Sequence, residues 1–252
     1  MRHFALVLSV AAVGILYGCS PSEKDGLKTE TVEFADSTLL AEGAPYKFAM
    51  DMTVEWPEGG TSTEALEEMQ KGITGLLFGS EIETTDLGYA MKEYYRRSAE
   101  FYQEENLEYA GVVDQEWSFM LDWSETVEGN FLPEYDGMVS YIKYIYGYSG
   151  GAHGMDAKTS RTFDISTGAE VLEKDIFRKG YEEKLTEALR KNLPLCVEEA
   201  DMLFETDILP SGNFYVTSKG ITYIYQRYEI GPYAIGIIEV TIPWKEIEDI
   251  VR

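Results

Sequence analysis

The chain has 252 residues, with 45 Asp and Glu against 21 Lys and Arg and a formal net charge of −24. Such a length allows one large or two small cored domains, and such a charge repels nucleic acid and anionic lipid while attracting cationic partners. An acidic surface also keeps a secreted monomer soluble, so a monomer is expected and charge by itself does not choose a partner.

Arg2 and His3 form a short basic start, and Phe4 to Leu16 is an apolar run too short to span a bilayer comfortably. Leu16-Tyr-Gly-Cys19 then places a small residue directly before a cysteine, the pattern of a bacterial lipoprotein signal. Residues 1–18 are expected to be removed and Cys19 lipidated; the alternative is an ordinary secretory signal cut elsewhere. The mature protein would be lipid-anchored at the cell envelope, facing periplasm or exterior and touching membrane only through its acyl chains. Losing residues 1–18 removes one charged side chain, Arg2, and leaves 20 basic against 45 acidic residues, about −25. Cys196 is then the one free cysteine, so no intrachain disulfide is expected, and its Leu193-Pro-Leu-Cys-Val197 setting predicts burial. Residues 19–44 are rich in Ser, Thr, Glu, Asp and Lys and read as a flexible tether, with room for a short strand around Thr31 to Phe34.

From Tyr46 to Trp56 alternate residues are apolar, which predicts a strand with one buried face. Pro57-Glu-Gly-Gly60 ends it, and Thr61 with Glu64 offers a capping box for a helix carrying Leu66, Met69, Ile73, Leu76 and Leu77. A second helix would present Leu87, Met91, Tyr94, Tyr95, Phe101 and Tyr102 on one face. The period then changes to two at Trp117, Phe119, Leu121 and Trp123, with Gly129-Asn130 and Asp136-Gly137 as punctuation. Strands follow over Met138 to Tyr148 and Met155 to Ile165, with a hairpin-type turn at Ser166-Thr-Gly168. Asp175 can cap a helix with Phe177, Tyr181, Leu185, Ala188 and Leu189 inside, interrupted by Pro194, before a shorter helix around Val197 to Phe204. Asn213 to Val216, Ile221 to Gln226 and Ala234 to Ile242 read as strands, and Pro243 starts a last helix bearing Trp244, Ile247 and Val251. Clustered strands with inserted helices argue for an α+β fold, mostly antiparallel, as two intimately packed subdomains spanning 45–130 and 131–252.

His153 is the one histidine outside the N-terminal segment, so a His-based general base would have to be this residue. Ser149 and Asp156 lie nearby in sequence, but a triad is defined by geometry and there is no G-x-S-x-G elbow. The blander reading is that Gly150-Gly151 turns the chain and His153 packs beside the turn. Asp164 and Glu229 are the least arbitrary choices for a carboxylate pair, although both also suit turns or sheet faces. One histidine and one cysteine cannot supply a zinc site, no calcium loop is present, and no P-loop or dinucleotide fingerprint occurs, so neither metal nor cofactor is expected. Tyr144, Tyr146 and Tyr148 alternate onto one strand face, and with His153, Tyr228 and Tyr233 they form a candidate contact surface for protein or glycan. Tyrosine is also simply a good strand residue.

Three segments carry a resemblance: Tyr146-Gly-Tyr-Ser-Gly-Gly-Ala-His-Gly154, Thr162-Phe-Asp-Ile-Ser-Thr-Gly168, and Tyr228-Glu-Ile-Gly-Pro-Tyr-Ala-Ile-Gly236 continuing to Val240-Thr-Ile-Pro-Trp244. In this order they resemble the C-terminal domain of the RsiV-like family, which includes the outer part of a lysozyme-sensing anti-sigma factor and a module attached to a peptidoglycan deacetylase. The resemblance covers residues 131–252; the 45–130 half is similar to the companion domain that often precedes it. It implies an envelope domain that binds a protein, such as a cationic lysozyme, or cell-wall glycan. The sequence shows neither an anti-sigma segment with its membrane helix nor a deacetylase domain, so neither activity is expected to carry over. The other class of function is an enzyme acting on cell-wall glycan through His153 or paired carboxylates; the missing catalytic set favours the binding module.

Overall fold

The computed structural model describes residues 26–110, 112 and 119–252. The signal segment, Cys19 and Trp117 lie outside the described residues. The fold is α+β, with a five-stranded sheet in the order β1-β2-β3-β4-β5 and a three-stranded sheet in the order β6-β7-β8.

The first sheet is built from β1 (Lys28–Leu39), β2 (Lys47–Gly59), β3 (Trp123–Phe131), β4 (Met138–Tyr148) and β5 (Met155–Asp164). The alternation in β2 puts Phe48, Met50, Met52, Val54 and Trp56 inside. Against that face lie α1 (Thr63–Phe78) and α2 (Leu87–Asn106), whose Met69, Ile73, Leu77, Met91 and Tyr102 are buried in the same core. Ser62 caps α1 by accepting from the Ala65 N–H, and Asp86 caps α2 by accepting from Tyr89. β2 and β3 run parallel, and α1 and α2 form the crossover that a parallel pair requires. The other pairings are antiparallel.

Several expectations are corrected here. The tether reading fails from residue 28 onward, because β1 pairs with β2 along twelve residues and packs Val32 and Phe34 on the core. Its polar side chains belong to the exposed face of an edge strand, which looks like a linker in composition. β3 starts at Trp123 and residues 119–121 form a 3-10 turn, with Leu121 buried beneath the Tyr102 hydroxyl that donates to its carbonyl. β3 also runs straight through Gly129-Asn130. A Cβ at Gly129 would come within 2.1 Å of the Tyr141 hydroxyl, so the glycine leaves room for that ring instead of ending the strand. Phe101 is 56% exposed, while Ala90 and Ala99 take the inner positions of α2.

The second sheet comprises β6 (Phe214–Thr217), β7 (Gly220–Tyr225) and β8 (Ile238–Pro243). It carries α3 (Glu173–Ile176), α4 (Glu182–Cys196) and α5 (Trp244–Ile247). The single helix expected after Asp175 is two, because the backbone of Phe177 and Arg178 pairs with Val251 and Ile250 instead of continuing a helix. Asp175 does cap, accepting from the Leu172 N–H. Pro194 sits within the last turn of α4, and only a 3-10 turn at Ala200–Met202 follows. Cys196 is exposed, not buried: α4 ends there and Val197 turns inward in its place. The two cores divide between Ile165 and Ile176, later than residue 130, since β4 and β5 complete the first sheet. They are stitched together across β4, β5 and β6. Val216 donates to Ser140 Oγ at 2.9 Å, and Asn213 accepts from the Ser160 N–H and donates to the Lys158 carbonyl.

Candidate functional site

Among the described residues, helices cover one face of the five-stranded sheet, and the other face stays open over β1 to β3 and the far end of β4. Register aligns Glu33, Thr53, Glu128 and Tyr144 in one row, Ala35, Asp51, Thr126 and Tyr146 in the next, and Ser37, Ala49, Ser124 and Tyr148 in a third. Glu33, Asp51, Thr53, Ser124 and Glu128 are exposed, and Tyr146 is 40% exposed. The charges in these rows are carboxylates, with Lys47 at one end of β2. Loss of side-chain entropy on contact is small for tyrosine, and its ring contributes area and its hydroxyl a polar handle.

At the β4–β5 corner this face continues into a stack. The β4–β5 link carries Gly150 and Gly151, both at positive φ (84° and 97°), which L side chains resist. The turn is held by Tyr148, whose hydroxyl donates to the Gly151 carbonyl at 2.9 Å. It delivers His153 onto the ring of Tyr233, with centroids 4.2 Å apart. Tyr228 leans on the same ring at 5.8 Å, and the Arg227 guanidinium lies 4.3 Å from it. Arg227 donates Nη1 to the Tyr233 carbonyl at 2.5 Å and forks Nε and Nη2 onto Asp156. Asp156 also accepts from the Tyr144 hydroxyl at 3.1 Å. The Arg227 hydrogen bond holds the Asp156 carboxyl below its ordinary value, and burial with the Asp156 contact raises the Tyr144 phenol. Tyr233 closes the group by donating to the Gly154 carbonyl at 2.9 Å. Tyr144, Tyr146, Tyr148, His153, Tyr228 and Tyr233 thus converge on one corner, though they come from segments some eighty residues apart.

Catalytic constellations are not assembled there. His153 is exposed and its Nδ1 bonds the Gly154 carbonyl at 2.9 Å, with no hydrogen bond to Ser149 or Asp156 among the described residues. Ser149 is exposed. Asp164 accepts from Ser166 Oγ, the Thr167 N–H and Thr167 Oγ1, which lowers its proton affinity and suits a turn better than a general acid. Glu229 accepts from the Gln226 N–H at 2.7 Å and so ties its own loop. No group of three or more His, Cys, Asp or Glu among the described residues is placed to hold a metal ion. No helix among them is long and apolar enough to cross a membrane. A separate polar group lies inside the first core: Lys143 Nζ donates to the Leu77 carbonyl at 2.6 Å, and burial raises the Glu125 carboxyl and lowers the Lys143 ammonium.

Residues 174–245 match DUF3298, a family described as a protein of unknown function. That span coincides with the second core. The whole fold is similar to the crystal structure of a DUF3298 family member from Bacteroides fragilis, with a TM-score of 0.76 at 24% identity over 90% of this chain and 94% of that one. It is also similar to a DUF3298 family protein from Pseudomonas aeruginosa, with a TM-score of 0.61 at 18% identity over 91% of this chain and 97% of that one. At these identities the likeness is one of fold. No curated protein matches the chain.

Sequence reasoning did not single out Arg227, and it considered Asp156 only as a triad member. Their roles come from pairing across 71 residues. The one local signal is an arginine set between Tyr225 and Tyr228 in a chain otherwise poor in cations.

Proposed function

We propose that this protein is a non-catalytic, lipid-anchored module of the bacterial cell envelope that binds a cationic protein on its open sheet face. The observation that carries the reading is that face itself: rows of exposed carboxylates from Glu33, Asp51 and Glu128 leading to Tyr144, Tyr146 and Tyr148. Carboxylates speed and orient encounter with a basic partner, and desolvated tyrosines supply the anchoring area. The resemblance to the RsiV-like family makes a lysozyme-like protein the first partner to test. Cys19 would be the acylated mature N-terminus, which fatty-acid labelling of wild type but not Cys19→Ala would reveal. The protein would act as a monomer, its acyl chains the only part in the membrane.

Calorimetry with lysozyme and with an equally basic unrelated protein, each at two salt concentrations, tests this. Specific binding survives at physiological salt, where the Debye length is roughly 8 Å, discriminates the two proteins, and falls at least tenfold in Asp51→Lys/Glu128→Lys. If both proteins bind alike and both are lost at physiological salt, only non-specific acidity remains. The exposed rings of His153 and Tyr228, both packed on Tyr233, favour cell-wall glycan as a second reading, because a sugar ring can lie on an exposed aromatic face. Binding of soluble glycan fragments that is lost in Tyr233→Ala would select it. Release of muropeptides that His153→Ala abolishes would replace both readings with an enzyme.

A further inference from the structure

Away from the tyrosine face, a cleft of about 680 Å³ opens along the seam between the two cores. That size falls in the ~300–1,000 Å³ range of small-molecule sites. Its walls are the turn before β4 with Tyr135 and Met138, the hairpin after β5 with Val171, the end of α3 with Ile176, and the C-terminal segment with Trp244 and Val251. Backbone hydrogen bonds brace these walls: Arg178 donates to Ile250, Arg252 to Ile176, and Ile165 to Gly137, at 2.8, 3.0 and 2.9 Å. Tyr135 and Trp244 stack at 5.5 Å with only 12° between their planes, a fixed aromatic wall held by the Trp244 N–H donating to the Thr217 carbonyl. The cleft is therefore preformed, not a gap between mobile loops.

The charges around it are unusual for so acidic a chain. Arg178, Lys245 and Arg252 all line the cleft, and among the described residues none of them forms an ion pair. Arg178 and Arg252 each spend one donor on a backbone carbonyl, of Asp249 and Phe177, which orients the guanidinium. The Asp249 carboxylate, held below its usual range by Lys184 and then by the Arg178 charge, makes no hydrogen bond to Arg178, so the other guanidinium donors point to no protein acceptor among the described residues. On the acidic side, Asp164 and Asp175 are occupied by their own turns. Asp136 and Glu248 remain exposed at the rim. An arginine fork matches a carboxylate in two parallel hydrogen bonds. Free acceptors across an aromatic and aliphatic wall complete a site for a molecule that carries both signs of charge on a small apolar body.

We infer that this cleft binds short peptides through their free C-terminal carboxylate, held by Arg178 and Arg252, with the peptide body on the Tyr135–Trp244 wall and its ammonium facing Asp136 and Glu248. The inference is independent of the protein-binding face. The test uses the full chain and the tripeptide Ala-Phe-Ala, its C-terminal amide and its N-acetyl form, with calorimetry and tryptophan fluorescence as readouts. The free acid binds saturably and perturbs the Trp244 emission. The amide binds at least tenfold more weakly, and acetylation weakens binding by a smaller factor. Arg178→Gln/Arg252→Gln, with an unchanged melting curve, brings acid and amide to the same low affinity. Arg178→Gln alone, which keeps the backbone bond to Ile250, serves as the second variant if the double variant melts early; it lowers affinity for the acid more than for the amide. Equal affinities of acid and amide for the wild type, or no saturable binding up to millimolar peptide, overturn the inference.

Discussion

Two adjacent glycines do different work. Both Gly150 and Gly151 hold positive φ, for which an L side chain costs on the order of 1–2 kcal/mol. A Cβ at Gly150 would also lie 2.6 Å from the Met120 carbonyl oxygen, whereas one at Gly151 would meet nothing within 4 Å. Gly151→Ala is expected to lower stability by about that conformational cost, and Gly150→Ala by more, because backbone must move. Thermal melts of the two variants check the order. Asp156 gives a pH-dependent case. Its folded pKa lies below the ordinary 3.8, first because of the Arg227 hydrogen bond, so its stabilisation is complete above 3.8 and disappears as pH falls through the lower folded value. Asp156→Asn is expected to cost about 1.5–3 kcal/mol at pH 7, the range of a charge-assisted hydrogen bond. Urea titrations should show the gap from wild type constant down to about pH 5 and closing toward pH 3.

At the scale of elements, β1 is the clearest case of a segment whose composition and role part company. Its residues KTETVEFADSTL are mostly polar and exposed, yet Val32 and Phe34 face the core and Phe34 lies 5.7 Å from the Tyr95 ring. A chain shortened to begin at Leu40 would lose a whole ladder and uncover the edge of β2. Such a truncation is expected to lower the melting temperature by more than about 10 °C, taking roughly 2–4 °C per kcal/mol for a chain of this size. A dispensable tether would leave the melting curve unchanged. β1 has an exposed outer edge, and its Glu30, Glu33 and Asp36 are the charged residues that discourage further strand pairing there.

For the whole molecule, the coupling of the two cores rests on a few polar contacts across β4, β5 and β6. Asn213 is the densest of them. Its Oδ1 accepts from the Ser160 N–H at 2.9 Å and from Ser160 Oγ at 3.0 Å, and its Nδ2 donates to the Lys158 carbonyl at 2.9 Å. Asn213→Ala removes all three and leaves the Ser160 N–H without its partner, while Ser160 Oγ keeps the Phe214 carbonyl and the Lys158 carbonyl keeps Gln226, at an expected cost of about 1–3 kcal/mol. Calorimetry should show a lower melting temperature and a transition broader than that of the wild type, as the cores begin to unfold separately. A sharp transition at the wild-type temperature would mean that the remaining contacts, Arg227 with Asp156 and Val216 with Ser140 among them, suffice to join the cores.

The sequence by itself determined the α+β class, the alternating core face of β2, the limits of β4 at Met138 and Tyr148, and the inner faces of α1 and α4, because these depend on local period and on which residues avoid water. Strand alternation also put Tyr144, Tyr146 and Tyr148 on one face and Gly150-Gly151 at a turn, since both are local, whereas the meeting of His153 with Tyr228 and Tyr233 is tertiary. Whatever depends on a distant partner was settled by tertiary structure. β1 is a strand because β2 offers it a ladder, Gly129 continues a strand because Tyr141 lies over it, and the helix after Asp175 breaks because Val251 claims Phe177. Arg227 meets Asp156 only once the two sheets pack. A hydrogen bond or ring contact across 71 residues leaves no period in the chain, because the geometry that makes it favourable exists only after the intervening strands have paired.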